Sequence, residues 1–373
     1  MDLIFHDRDR KSKPDAILFL TILTIAGIGI AMCYSASAVK AMSLGESSYY
    51  FLKLQSIWFL IGLVLLLVFQ EINYKVYKKF SGLIIIVSLV LLSLVFIPGL
   101  GHTVKGSTRW IHLGIINIQT SEFVKIAAVL YLAKVFSTDL SELGILKIII
   151  PLGMIGIMFL LIVLQPDFGT AINILIVAVL MFFVSGFSLF YIMGLALISI
   201  PMFYLLIYQV DYRKNRILAY LNPWEDRYGI GYHIIQSFTA FKKGSITGVG
   251  LGFGTQKLQR LPEPHTDFIF AVIAEELGLF GTVGLVALFA ILFACSVRIS
   301  MSIQDKFGKL LAIGLGMLIT LQAVINIGVV TGLVPTTGMP LPLVSYGGSS
   351  FLSTMIAGGI LLNISRYREQ SIF

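Results

Sequence analysis

Asp267 is the residue around which a chemical site is most readily built. It follows His265 and Thr266, stands after Pro262 and Pro264, and heads the apolar run FIFAVIAEELG, with Lys257 and Arg260 shortly before it. Two readings are open. Thr266 or Asp267 can accept a hydrogen bond from a free N–H of the first turn as a helix N-cap, where the helix dipole also favours negative charge. Alternatively, Glu275 and Glu276 inside the helix and the charged loop before it suit a site carboxylate. Glu122 and Lys125 form a second candidate: three residues apart, they share a helix face. They read as an ion pair between spans or as site residues, because charges within a membrane are costly and tend to mark function. Arg109 lies in KGSTRWIHLG. Asp167 lies in the turn QPDFGT, placed to cap the next helix. Arg213, Lys214 and Arg216 follow a long apolar run; they can snorkel to lipid phosphates or hold the pyrophosphate of one particular lipid.

The elements that must position these residues are membrane spans. The chain has 373 residues, 57% hydrophobic and 12% charged, with mean hydropathy +0.93; soluble proteins usually carry about 25% charged residues. A span needs about 20 mostly apolar residues. That rule predicts an all-α integral membrane protein of ten helices, near 15–37, 50–70, 80–97, 119–136, 147–164, 168–185, 188–208, 267–297, 310–332 and 347–364. The first run has no cleavage pattern, so a retained span is expected rather than a signal peptide. The chain reads as a single polytopic domain, 1–373, with tails 1–14 and 365–373. Ten spans put both termini on one side, and Lys and Arg choose that side. Of the 27 basic residues, 14 flank it, from Arg8, Arg10, Lys11 and Lys13 to Arg366 and Arg368. Both termini are thus expected in the cytoplasm and the long loop 209–266 outside. Cys33 and Cys295 lie in apolar segments and imply neither a disulfide nor a metal site. The net charge of +8 is dispersed over loops, which suits anionic lipid and not nucleic acid.

Most of the unusual residues fall on the outward side. Gly106, Ser107 and Thr108 read as a turn, Trp110 as an interfacial anchor, and Ser121 as a helix cap. The long loop alternates bases and aromatics, as surface-lying elements do. Glycines 248, 250, 252 and 254 lack the strand–helix setting of a dinucleotide fingerprint. Gln322 and Asn326, one turn apart, are explained by hydrogen bonds between helices. VPTTGMPLPLVSYGGSS predicts irregular, re-entrant backbone, tolerated at membrane depth when protein or a watery cavity covers it. Two classes fit: a transporter with a midplane site, or an enzyme acting on a lipid-linked substrate at the outer face. The scarcity of polar residues deep in the spans favours the enzyme.

KGSTRWIHLG, QTSEFVK, QPDFGT, LPEPHTDFIFAVIAEELG and NIGVVTGLVPTTGMPLPLVSYGGSS, in that order from residue 101 to 364, resemble signatures of the SEDS family (shape, elongation, division and sporulation proteins) of bacterial peptidoglycan polymerases. GTQKLQRLPEPHTDF and NIGVVTGLVPTTGMPLP look more like the division and sporulation branches than the elongation branch. The resemblance implies that the chain polymerises lipid II, an undecaprenyl-pyrophosphate-linked disaccharide-pentapeptide, at the outer face of the bacterial cytoplasmic membrane. It implies partners too: a class B penicillin-binding protein transpeptidase, and other divisome or elongasome membrane proteins. It carries the family's essential aspartate onto Asp267, its Glu and Lys onto Glu122 and Lys125, and the basic residue of its RW motif onto Arg109. Thr120 stands where many relatives have proline, a change that touches no charge. The alternative is a lipid II flippase.

Such a reaction needs one base for the attacking hydroxyl and positive charge for the departing phosphate. Pyrophosphate leaves without a proton, so a second carboxylic acid is not obligatory, unlike in glycoside hydrolysis. Asp267 is the expected base. Arg109, Lys125, Arg213 and Arg216, with Lys257 and Arg260 behind them, are the phosphate candidates. Glu122, His265 and Ser345 complete the expected substrate-binding set. A divalent cation, Mg or Mn, can share the cationic role, although no ligand cluster requires one.

Overall fold

Every apolar segment predicted to span is helical in the computed structural model, which describes residues 12–104, 107–114, 116–138, 145–187, 189–258 and 261–368. These helices are α1 (Ala16–Ser43), α2 (Tyr50–Glu71), α3 (Tyr74–Leu94), α4 (Thr120–Phe136), α5 (Ile145–Leu164), α6 (Phe168–Val184), α7 (Leu189–Tyr208), then, after two shorter helices, α10 (Ile269–Met301), α11 (Lys306–Val330) and α12 (Gly348–Ser365). Four begin on side-chain caps: Asp15 accepts from Leu18 N, Asn73 from Lys75 N, Asp167 from Thr170 N and Asp305 from Gly308 N. Among the described residues, α1, α2, α3, α10, α11 and α12 are long and apolar enough to cross a membrane; α6 and residues Ile149–Leu164 of α5 are shorter and also apolar. This is a mainly helical, multi-pass membrane protein.

One feature departs from the predicted all-α bundle, and a second gives form to the long loop. Residues 101–119 form an antiparallel sheet of β1 (Gly101–Val104), β2 (Ser107–Leu113) and β3 (Ile116–Gln119), in the order β1-β2-β3. Ser107 and Thr108 therefore begin a strand instead of completing a turn, while Lys105 and Gly106 lie outside the described residues. The cause is local: β-branched Thr103, Val104, Thr108, Ile111, Ile116 and Ile118 favour a pleated surface. Trp110 pairs with Gln119, so β3 delivers the chain directly into α4. The second feature is α8 (Asp211–Leu221) and α9 (Ile230–Gly244), inside the long loop. They pack on one another, and α9 packs along α10.

α11 and α12 are largely enclosed by other helices, whereas α2, α3 and α10 turn much of their apolar surface outward. Between α11 and α12 the chain runs from Thr331 to Gly347 without helix or strand, yet Leu341, Leu343, Val344 and Ser345 are buried. At Gly29, halfway along α1, an added Cβ would overlap the Leu343 carbonyl. Helix and loop backbone meet there because no side chain separates them. The predicted irregular segment is thus covered by protein.

α10 is not continuous. Gly278 has φ 64° and ψ −156°, a conformation that favours glycine. Around this break Val249 N donates to Glu275 O, Gly250 N to Glu276 O, and Leu279 N to Ser245 O and Ile246 O. The glycine-rich segment is a brace on the broken helix.

Candidate active site

Asp267 does not cap α10. The helix starts at Ile269, Phe268 holds the cap position, and no side chain caps it. The reason is a turn just upstream, where Thr266 N and Phe268 N both donate to Glu263 O, so Asp267 sits before the helix. Its backbone carbonyl accepts from Asn326 Nδ2 of α11 at 2.8 Å. Its carboxylate faces the loop after α11: a Cβ built on Gly338 would lie 3.6 Å from Asp267 Oδ2. Asp267 lines a cavity of about 140 Å³ together with Arg216, His233, Asn326, Thr336 and Thr337.

Arg216 is the guanidinium of that cavity. From α8 it donates to Thr336 O at 3.1 Å. Burial lowers its pKa; Tyr212 opposes that, Arg109 adds to it, and Asp267 opposes it. Arg216 therefore lies within electrostatic reach of both Arg109 and Asp267. Arg109, on β2, clasps the α5–α6 turn: it donates to Gln165 O and Pro166 O, and pairs with Asp167 at 3.6 Å. Asp167 accepts in addition from Gln119 Nε2 and from Ser121 Oγ at 3.0 Å. Ser121, predicted as a cap, is instead a ligand of Asp167, because α4 begins one residue earlier, at Thr120.

Glu122 and Lys125 are both buried and 2.9 Å apart. Glu122 also accepts from Ser353 Oγ of α12. Lys125 Nζ donates to Gln322 Oε1 at 2.6 Å, and Gln322 Nε2 donates to Pro340 O at 2.9 Å. One turn along α11, Asn326 Nδ2 donates to Met339 O as well as to Asp267 O. The ion pair therefore connects through the Gln322 amide to Pro340, next to Met339 of the cavity wall, which Asn326 holds separately. Ser345 fastens the same loop from its other end: its Oγ donates to Thr266 O at 2.5 Å and accepts from Leu341 N.

Other expected binding residues are placed elsewhere. Arg213 is buried and donates to Leu206 O, Val163 O and Tyr212 Oη, with its guanidinium over the Phe168 ring. It ties α8 to α5 and α7. Lys257 is buried on Glu276 at 2.6 Å and also donates to Ser35 Oγ and Gly252 O. His265 packs between Phe51 and Tyr346, and its carbonyl accepts from Tyr346 N. Lys257 and His265 line a second cavity of about 360 Å³, with Lys40 and Glu263. Arg260 lies outside the described residues. Among the described residues no three His, Cys, Asp or Glu side chains gather.

Nothing in the sequence marks His233; Thr336 and Thr337 lie within VPTTGMPLPLVSYGGSS without a role of their own, and Gln322 and Asn326 read as helix contacts. His233 sits on α9 with its ring 5.4 Å from that of Phe268, in a segment with no motif of its own.

The sequence matches the cell cycle protein family of FtsW, RodA and SpoVE over residues 15–370. It is 43% identical over 363 residues to a probable peptidoglycan glycosyltransferase FtsW of Geobacter metallireducens, covering 95% of each chain. It is 41% identical over 360 residues to the stage V sporulation protein E of Bacillus subtilis, covering 96% of this chain and 98% of that one. Among solved structures, a chain from work on a peptidoglycan synthase complex that coordinates polymerization and crosslinking matches with TM-score 0.77 and 27% identity, over 96% of this chain and 99% of that one. The rod shape determining protein RodA of Thermus thermophilus matches with TM-score 0.70 and 26% identity, over 96% and 98%.

Proposed function

This chain belongs to the FtsW/RodA/SpoVE family, and from that premise we propose that it is a peptidoglycan glycosyltransferase with Asp267 as its general base. Its substrate is lipid II. Asp267 takes the proton of the acceptor sugar hydroxyl, whose oxygen forms the new bond to C1 of the donor. The bond from C1 to the lipid pyrophosphate breaks, and its electrons leave with the pyrophosphate. One displacement inverts C1. Arg216 stabilises the departing charge, with Arg109 reinforcing the local positive field. Glu122 and Lys125 act through Gln322 and the 339–340 loop to hold the cavity wall. The observation that carries this reading is one cavity containing both Asp267 and Arg216, a base beside a cation, as the reaction requires.

We propose further that ten helices cross the cytoplasmic membrane, that both termini are cytoplasmic, and that α8, α9 and the cavity face outward, where the polymer is needed. The partner is a class B penicillin-binding protein, supported by the likeness to a chain from a synthase complex.

Purified protein with lipid II, with and without its partner, tests the reading. Asparagine matches aspartate in shape but is no base, so Asp267→Asn is expected to lose polymerisation by at least ~100-fold at unchanged folding. A flippase would make no glycan strands whatever residue stands at 267. Normal strands from the Asn variant would remove Asp267 as the base.

A further inference from the structure

Asn326 was expected to glue helices; its surroundings give it a second task. Its side chain is buried, at 1% exposure. Nδ2 donates to two backbone carbonyls, Asp267 O and Met339 O, each at 2.8 Å. Carbonyls only accept, so this pair of partners fixes the orientation of the amide. Oδ1 must point the other way. There it has no hydrogen-bond partner among the described residues, and Asn326 lines the cavity of Asp267 and Arg216. Thr336 Oγ1 and Thr337 Oγ1, from the same lining, are likewise buried without partners. Buried polar atoms are rarely left unpaired, and one that is calls for an explanation.

We propose that Asn326 Oδ1 is a sugar-binding acceptor, taking a hydrogen bond from a hydroxyl or acetamido N–H of the lipid-linked saccharide held against Asp267. The proposal rests on the glycosyltransferase reading and deepens it. An amide oxygen with both its N–H groups committed can only accept, which selects a donor group on the ligand and excludes a phosphate oxygen. The division of labour in the cavity follows: Arg216 meets the anionic part of the substrate and Asn326 the neutral sugar. Since the same amide holds the Asp267 carbonyl, a sugar bound at Oδ1 is registered directly to the proposed base. Thr336 and Thr337 hydroxyls can accept or donate and extend the contact along the loop.

The experiment compares native lipid II with a panel of analogues, each lacking one donor. Single hydroxyls other than the attacking one are replaced by fluorine, and each acetamido N–H by an ester oxygen. Polymerisation is measured for wild type, Asn326→Ala and Thr337→Val, with melting temperature as the folding control. A site built around a hydrogen bond rejects the ligand that lacks it. Wild type is expected to lose at least ~10-fold in kcat/KM on one analogue, and Asn326→Ala to treat that analogue and native substrate alike within about twofold. Thr337→Val leaves the Asn326 clamp intact, and is expected to retain the wild-type preference at that donor while losing activity overall. If no analogue costs wild type more than threefold, Oδ1 holds only water and the proposal falls. It falls equally if Asn326→Ala keeps the wild-type profile. If Asn326→Ala does not fold, Asn326→Leu, which keeps the bulk and likewise lacks Oδ1, is compared in its place. A wild-type protein that makes no polymer would sink the functional reading, and the proposal with it.

Discussion

Glu122 and Lys125 show how a buried ion pair can serve a site that it does not touch. Removing one partner of such a pair leaves a buried charge uncompensated and costs about 3–5 kcal/mol, whereas replacing both with neutral groups is often harmless. Lys125 here also holds Gln322, which holds Pro340 O. Glu122→Gln is therefore expected to lower both the melting temperature and the polymerisation rate. The double variant Glu122→Gln/Lys125→Met should recover the melting temperature and not the rate, because the amide link to the cavity wall is still cut. Recovery of both would reduce the pair to a structural role. At Arg216 the expectation differs: Arg216→Gln removes charge from the cavity itself, so the rate should fall by about 10²–10³ with little change in melting. The sequence made Asp267, Glu122 and Lys125 conspicuous because charge is scarce in an apolar chain. Asn326 was harder to interpret: two amides one turn apart look the same whether they join helices or line a cavity. Only the tertiary arrangement shows what each amide atom faces.

Among elements, the long apolar helices were legible because twenty apolar residues in lipid have few alternatives. The three-stranded sheet was not, since its strands are short and their apolar residues few; the long loop read as surface-lying elements, without the bounds of α8 and α9. The irregular segment after α11 was legible from its prolines; its depth within the protein was not. That depth gives a prediction. Gly29→Ala places a methyl group where the Leu343 carbonyl lies, and overpacking of this kind costs about 1–3 kcal/mol. The melting temperature should drop, and activity with it, since the same loop presents Thr336 and Thr337. An unchanged melting curve would mean that α1 and the loop do not meet as described. Gly278→Ala tests the break in α10 in the same way, through a φ of 64° that alanine avoids.

For the whole molecule the prediction is one of sidedness. The positive-inside count predicts that α8 and α9 lie outside. Tyr228, between them, is 97% exposed, which makes Tyr228→Cys suitable for an impermeant thiol reagent. Cys33 and Cys295 are buried and should stay silent. Labelling in intact spheroplasts is expected; labelling only after lysis would put the cavity on the wrong face for wall synthesis. Co-purification with a class B penicillin-binding protein in mild detergent is expected as well, together with a rise in rate on its addition. An isolated chain that is fully active and never co-purifies would count against the partnership.

The ties that hold the 265–267 segment also set an order in time. Asp267 is bound by Asn326, Thr266 by Ser345, and His265 by Tyr346; all three ties come from residues synthesised later. While the ribosome is still making α11, the proposed base has been translated but these three ties are still missing. The chain therefore becomes competent only after Tyr346 has been made. A nascent chain stalled before Tyr346 should insert its earlier helices and yet make no polymer. Competence should appear abruptly as the stall point moves past α12, and a gradual rise with length would contradict this order.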